Sequence, residues 1–131
     1  VASVPAAKNI SSIRSGHGVS VRITVLNVAA TALWTVGVFA SLYAGVLDPS
    51  VRVTSSTLSS IINGGATIMM AIFIDPHMSG MTDDVIEGKV TDTQFRKAIV
   101  WLVGSRLAGT LVAQLLLVPS AVLIAWVARV I

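Results

Sequence analysis

From Ile23 to Leu47 the chain carries no Asp, Glu, Lys, Arg or His. A helix over that run rises about 1.5 Å per residue and crosses the roughly 30 Å hydrocarbon layer of a bilayer with some tilt. Two further apolar runs follow, about Leu58 to Ile74 and Ala98 to Ala128. In lipid, backbone polar groups must be satisfied within the segment, so such runs become helices. The predicted class is all-α: a polytopic membrane protein with about three transmembrane helices, over 23–47, 58–74 and 98–128, plus a short cytoplasmic loop helix. Composition agrees. Only 11% of residues are charged and the mean hydropathy is +0.86, whereas soluble domains carry about 25% charged residues.

Residues 1–22 read as a juxtamembrane arm, rich in Ser and Gly and bearing Lys8, Arg14 and Arg22. The arm lacks the apolar core of a secretion signal. Residues 23–131 read as a helical membrane domain, part of a larger membrane protein. The formal net charge of +3 suits anionic lipid headgroups. Nucleic acid is a poor partner, because the basic residues are scattered and no aromatic platform accompanies them. There is no cysteine, hence no disulfide or thiolate site.

Between the second and third runs lies a charge-dense stretch holding Asp75, Asp83, Asp84, Glu87 and Asp92, with Lys89, Arg96 and Lys97. Asp75-Pro76 is expected to end the second span. Thr82 is expected to cap a short surface helix that stops at Gly88. Thr91 to Gln94 has the spacing of a capping box, which starts the third helix in water. Pro119 is expected to kink or divide that helix. With three spans, Lys8, Arg14, Arg22, Lys89, Arg96 and Lys97 share one side against Arg52 and Arg129. The positive-inside rule makes the side with the acidic loop (Asp75, Asp83, Asp84, Glu87) cytoplasmic.

Two small-residue stripes, Gly37/Ser41/Gly45 and Ser105/Gly109/Ala113, are expected to admit neighbouring helices closely. Asn63-Gly64-Gly65 in the second span reads either as a close-packing point or as a break. Each span also bears a polar triplet at i, i+4, i+8, which lies on one helical face. These are Asn27/Thr31/Thr35, Ser59/Asn63/Thr67 and Arg106/Thr110/Gln114. They suggest a shared polar interior, although Thr hydroxyls often bond their own i−4 carbonyl instead. Arg106 stands about eight residues inside its helix, roughly 12 Å deep. A buried arginine in lipid is costly and marks a functional site or an ion pair, with Asp75 one candidate partner. The binding candidates are therefore Arg106, Asn63, Thr67, Asn27 and Gln114.

Other chemistry is weak. His77 with Asp75, Asp83, Asp84 and Glu87 lacks a helical His-x-x-x-His or similar spacing, so no metal is assigned. No nucleophile–base set and no phosphate loop is readable. The chain does not read as an enzyme and no cofactor is implied.

The run Phe73 to Lys89, followed by Phe95-Arg96 and Trp101 to Leu115, resembles the C-terminal half of the Amj family, bacterial lipid II flippases unrelated in sequence to the MurJ type. Ile61 to Thr67 fits the same pattern, and the resemblance covers about Arg22 to Pro119. Family members are longer, with additional N-terminal spans. The resemblance implies translocation of an undecaprenyl-pyrophosphate-linked peptidoglycan precursor across the bacterial cytoplasmic (inner) membrane. It implies membrane lipid and that precursor as partners, with an N-terminal half or a second copy completing the bundle. An arginine in a polar interior suits pyrophosphate, since its planar fork binds phosphate bidentately. From the residues alone two other classes stay open: half of another transporter or channel, and a structural subunit of a membrane complex.

Overall fold

A computed structural model describes residues 18–131. Most of the arm, with Lys8, Arg14 and His17, lies outside the described residues. The fold is all-α. Helix α1 runs Val21–Leu47, α2 Arg52–Met69, α3 Asp75–Ile86 and α4 Asp92–Val130. Three helices are long and apolar enough to cross a membrane: Val21–Leu47, Pro49–Ile86 and Asp92–Val130. Their outer faces carry large apolar side chains such as Leu115, Val53 and Trp126, all exposed. This is the pattern of a protein solvated by lipid.

The helix boundaries follow from local chemistry. Ser20 caps α1 by accepting from the Ile23 N–H at 3.3 Å. Asp48 ends α1 and accepts from the Ser50 N–H at 3.0 Å, closing the turn Pro49–Val51. Thr91 and Gln94 form the expected capping box at the start of α4. Gly88 has φ +72°, a left-handed conformation that glycine adopts without a Cβ penalty. The Lys89 and Val90 N–H groups then fold back onto the Asp84 carbonyl at 2.8 and 3.1 Å.

Three local expectations are corrected. Asp75-Pro76 does not end the second helix. A π-helical turn, Met70–Ile74, joins α2 to α3, so helical backbone continues from Pro49 to Ile86. Pro76 has no N–H and its ring would press on the carbonyl of residue 72. The widened turn relieves that crowding, with the Asp75 N–H reaching back to Met70 O. The short loop helix forms as α3, but Thr82 does not cap it. Thr82 lies inside it and donates to Met78 O at 2.9 Å. Pro119 does not divide α4, which is one helix of 39 residues.

Helix α1 is the hub, with α2 packed on one side and α4 on another, while α2 and α4 touch little. Trp101 meets Thr24 and Arg129 meets Asp48, so α4 runs parallel to α1. Gly37 faces Asn63 and Gly45 faces Arg52, so α2 runs antiparallel. Both small-residue stripes are used as expected. A Cβ on Gly109 would lie 2.7 Å from the Val28 carbonyl oxygen and 2.8 Å from Thr31 Cβ. A Cβ on Gly37 would lie 2.5 Å from Asn63 Oδ1 and 2.9 Å from Ile62 Cγ2. Small residues admit this close approach, on which helix association in lipid depends. The upper core is accordingly built from Ala32, Val36, Ala40 and Ala44 against Ala113, Ala121, Ile124 and Ala125.

Gly64 and Gly65 behave otherwise. The helix passes through them unbroken, and among the described residues nothing lies within 4 Å of a Cβ at either. Neither a break nor a packing partner is found there. The apolar part of the Pro49–Ile86 rod is far less buried than that of α1.

Candidate functional site

Residues of the α1 and α4 polar triplets come together along one flank. Asn27 is fully buried. Its Nδ2 donates to Ser105 Oγ at 2.6 Å and to Leu102 O at 3.0 Å. Its Oδ1 is buried without a partner. Asn27 lines a cleft of about 180 Å³ with Ile74, Met78, Leu102, Val103 and Arg106. Arg106 is exposed within this three-helix unit. Along the same flank of α4, Thr35 and Gln114 line a second cleft of about 130 Å³. The residues opposite each other are therefore Asn27 with Arg106 and Thr35 with Gln114.

The α2 triplet does not join these clefts. Asn63 packs beside Gly37 with its Oδ1 buried and unpartnered. Thr67 is exposed and donates to Asn63 O at 2.8 Å. Thr35 bonds Thr31 O at 2.9 Å and Thr110 bonds Leu107 O at 2.7 Å. These hydroxyls follow the local back-bonding pattern, which leaves the α1–α4 flank to Asn27, Arg106 and Gln114.

Among the described residues the ion pairs are Lys89–Glu87 and Arg129–Asp48. Asp75, exposed at the start of α3, does not pair with Arg106. Asp83 is exposed and Asp84 is half-buried. No group of three or more His, Asp or Glu able to hold a metal ion comes together among the described residues.

Several features were not read from the sequence. The Trp101 indole donates to Thr24 Oγ1 at 2.8 Å. Arg129 Nε donates to Asp48 Oδ2 at 2.7 Å across the far ends of α1 and α4. Both residues flank spans of the same polarity, and that signal could have found the pair. Hydrogen bonds from the Ser50 hydroxyl, then Arg129 and the Ser50 N–H, hold the Asp48 carboxyl below its ordinary value of 3.8. Among the described residues His77 Nε2 is buried without a partner, which nothing in the helical pattern signals.

The family described as "Amj: Alternate to MurJ" matches residues 1–128. The chain belongs to the Amj family. A relative from Bacillus subtilis (strain 168), named lipid II flippase Amj, is 44% identical over 108 residues. That match covers 82% of this chain but 40% of the relative, so the chain spans less than half the relative's length. No solved structure matches the chain at a significant level. Within this Amj chain, the paired clefts on the α1–α4 flank are the candidate site.

Proposed function

We propose that this chain forms the C-terminal part of a flippase that carries lipid II across the bacterial cytoplasmic membrane. It acts as a multi-pass transporter and makes no covalent change in its substrate. The observation that carries the reading is the 44% identity with a protein named a lipid II flippase. The geometry supports it. A flippase must shelter a charged headgroup and leave the lipid tail outside. Arg106 is a fixed cation beside Asn27 in a cleft that opens along an apolar helix flank. Its planar fork suits a pyrophosphate, and Gln114 supplies a further polar contact along the same flank.

Three spans do not enclose that path. The bare α2 face at Gly64 and Gly65 is where the N-terminal part present in longer relatives packs, with the 75–97 end facing the cytoplasm. The test is growth. The full-length protein, expressed in bacteria depleted of their other lipid II flippase, should sustain growth and transport of lipid II. A protein that is expressed and membrane-inserted but fails in both overturns the reading.

A further inference from the structure

A cavity of about 550 Å³ lies where α3 ends, α4 begins and Gly18 leads into α1. Its size is within the roughly 300–1,000 Å³ of small-molecule sites. His77, Asp84 and Gln94 line it together with Pro76, Met81 and Val90. His77 Nε2 is buried without a partner among the described residues. The half-buried Asp84 carboxylate has no hydrogen bond or ion pair among the described residues. Gln94 Oε1 is held by the Thr91 N–H at 3.2 Å, which leaves its amide NH₂ as a free donor. A buried polar atom without a partner, here His77 Nε2, calls for an explanation. The lining is also held in place, because the Asp84 carbonyl binds the Lys89 and Val90 N–H groups and so keeps Val90 near Asp84.

The lining chemistry selects the ligand. A phosphate is repelled by Asp84. A divalent cation lacks three ligands here. A small ammonium group would satisfy Asp84 but leave the apolar lining and most of the volume unfilled. A sugar ring fits the mixed lining: its hydroxyls donate to the carboxylate and imidazole, and its C–H groups pack on Met81, Pro76 and Val90. We propose that this cavity binds a sugar ring, distinct from the phosphate contact at Arg106. Helix α3 serves both places, with Met78 lining the Arg106 cleft and His77 and Asp84 the cavity. Assigning that sugar to the headgroup of a transported lipid rests on the flippase reading; the sugar site itself does not.

The experiment uses the full chain in lipid nanodiscs and isothermal titration calorimetry. The probes are N,N′-diacetylchitobiose, inorganic pyrophosphate, ethanolamine and Mg²⁺, each alone. The disaccharide should bind. Asp84→Asn and Gly80→Leu should each weaken it about tenfold or more, and Arg106→Ala should leave it unchanged. Gly80 lines the cavity, and a Cβ there meets nothing within 4 Å, so the larger side chain fills space without breaking the helix. Absence of disaccharide binding overturns the proposal. So does binding that either cavity variant leaves unchanged, binding lost in Arg106→Ala, or Asp84-dependent binding of ethanolamine or Mg²⁺ without the sugar. Failure of the flippase reading looks different: pyrophosphate binding and lipid II transport are absent while Asp84-dependent sugar binding persists.

Discussion

Asn27 Nδ2 lies 2.6 Å from Ser105 Oγ, joining the second turn of α1 to α4. The same nitrogen also reaches Leu102 O, while the Asn27 Oδ1 beside Arg106's cleft stays unpartnered. One side chain therefore ties the two helices together and keeps a buried acceptor without a partner among the described residues.

Asn27→Leu should loosen the α1–α4 pair without abolishing insertion. Interhelical hydrogen bonds in membrane proteins contribute about 0.6 kcal/mol on average and up to about 1.7 kcal/mol. Thermal unfolding in detergent should show a loss within that range. Ser105→Ala should show a smaller loss, because Leu102 O still accepts from Asn27.

Gly109 and Gly104 are five residues apart on one helix and should respond oppositely to alanine. A Cβ on Gly109 meets backbone oxygen at 2.7 Å, whereas one on Gly104 meets nothing within 4 Å. Gly109→Ala should separate α1 from α4 and lower the unfolding temperature. Gly104→Ala should be neutral or stabilising by up to about 1 kcal/mol, the helix preference for Ala over Gly. Equal responses would contradict the packing described.

Arg106→Ala should remove most lipid II transport at normal expression. Arg106→Lys keeps the charge but loses the planar fork, so it should insert normally and still lose most transport. Asp75→Asn should leave transport intact, because Asp75 does not pair with Arg106. Wild-type transport by Arg106→Ala would return the residue to a structural role.

Asp48 should titrate below 3.8, with the Ser50 hydrogen bonds the larger cause and Arg129 the next. A carboxyl depressed in the folded state stabilises it above the unfolded value. That contribution is lost as pH falls from about 3.8 through the lower folded value. Carbon-detected NMR of Asp48 should show the value rising in Ser50→Ala and, by less, in Arg129→Gln. No change in either variant would separate the low value from these contacts.

Cysteines introduced at Ser79 and Ser50 should label from opposite faces of sealed cells, Ser79→Cys only from the cytoplasm. Labelling of Ser79→Cys by an impermeant reagent from outside would invert the proposed orientation.

The sequence by itself determined the helices and most of their ends. An uncharged run long enough to span lipid has no alternative to a helix, and caps such as Thr91 with Gln94 act within a few residues. The stripes Gly37/Ser41/Gly45 and Ser105/Gly109/Ala113 also announced which faces would be approached. Tertiary structure decided the rest. Whether Pro76 ends a helix or is absorbed by a π turn depends on what the continued rod packs against, here Met81 against Val19, Ala98 and Leu102. Which triplet residues meet depends on the relative shift of two rods, which here sets Arg106 and Asn27 on one cleft. The link between Arg129 and Asp48, and the cavity shared by His77, Asp84 and Gln94, join residues far apart in the chain. Periodicity fixes the face a side chain occupies on its own helix; only packing fixes what stands opposite.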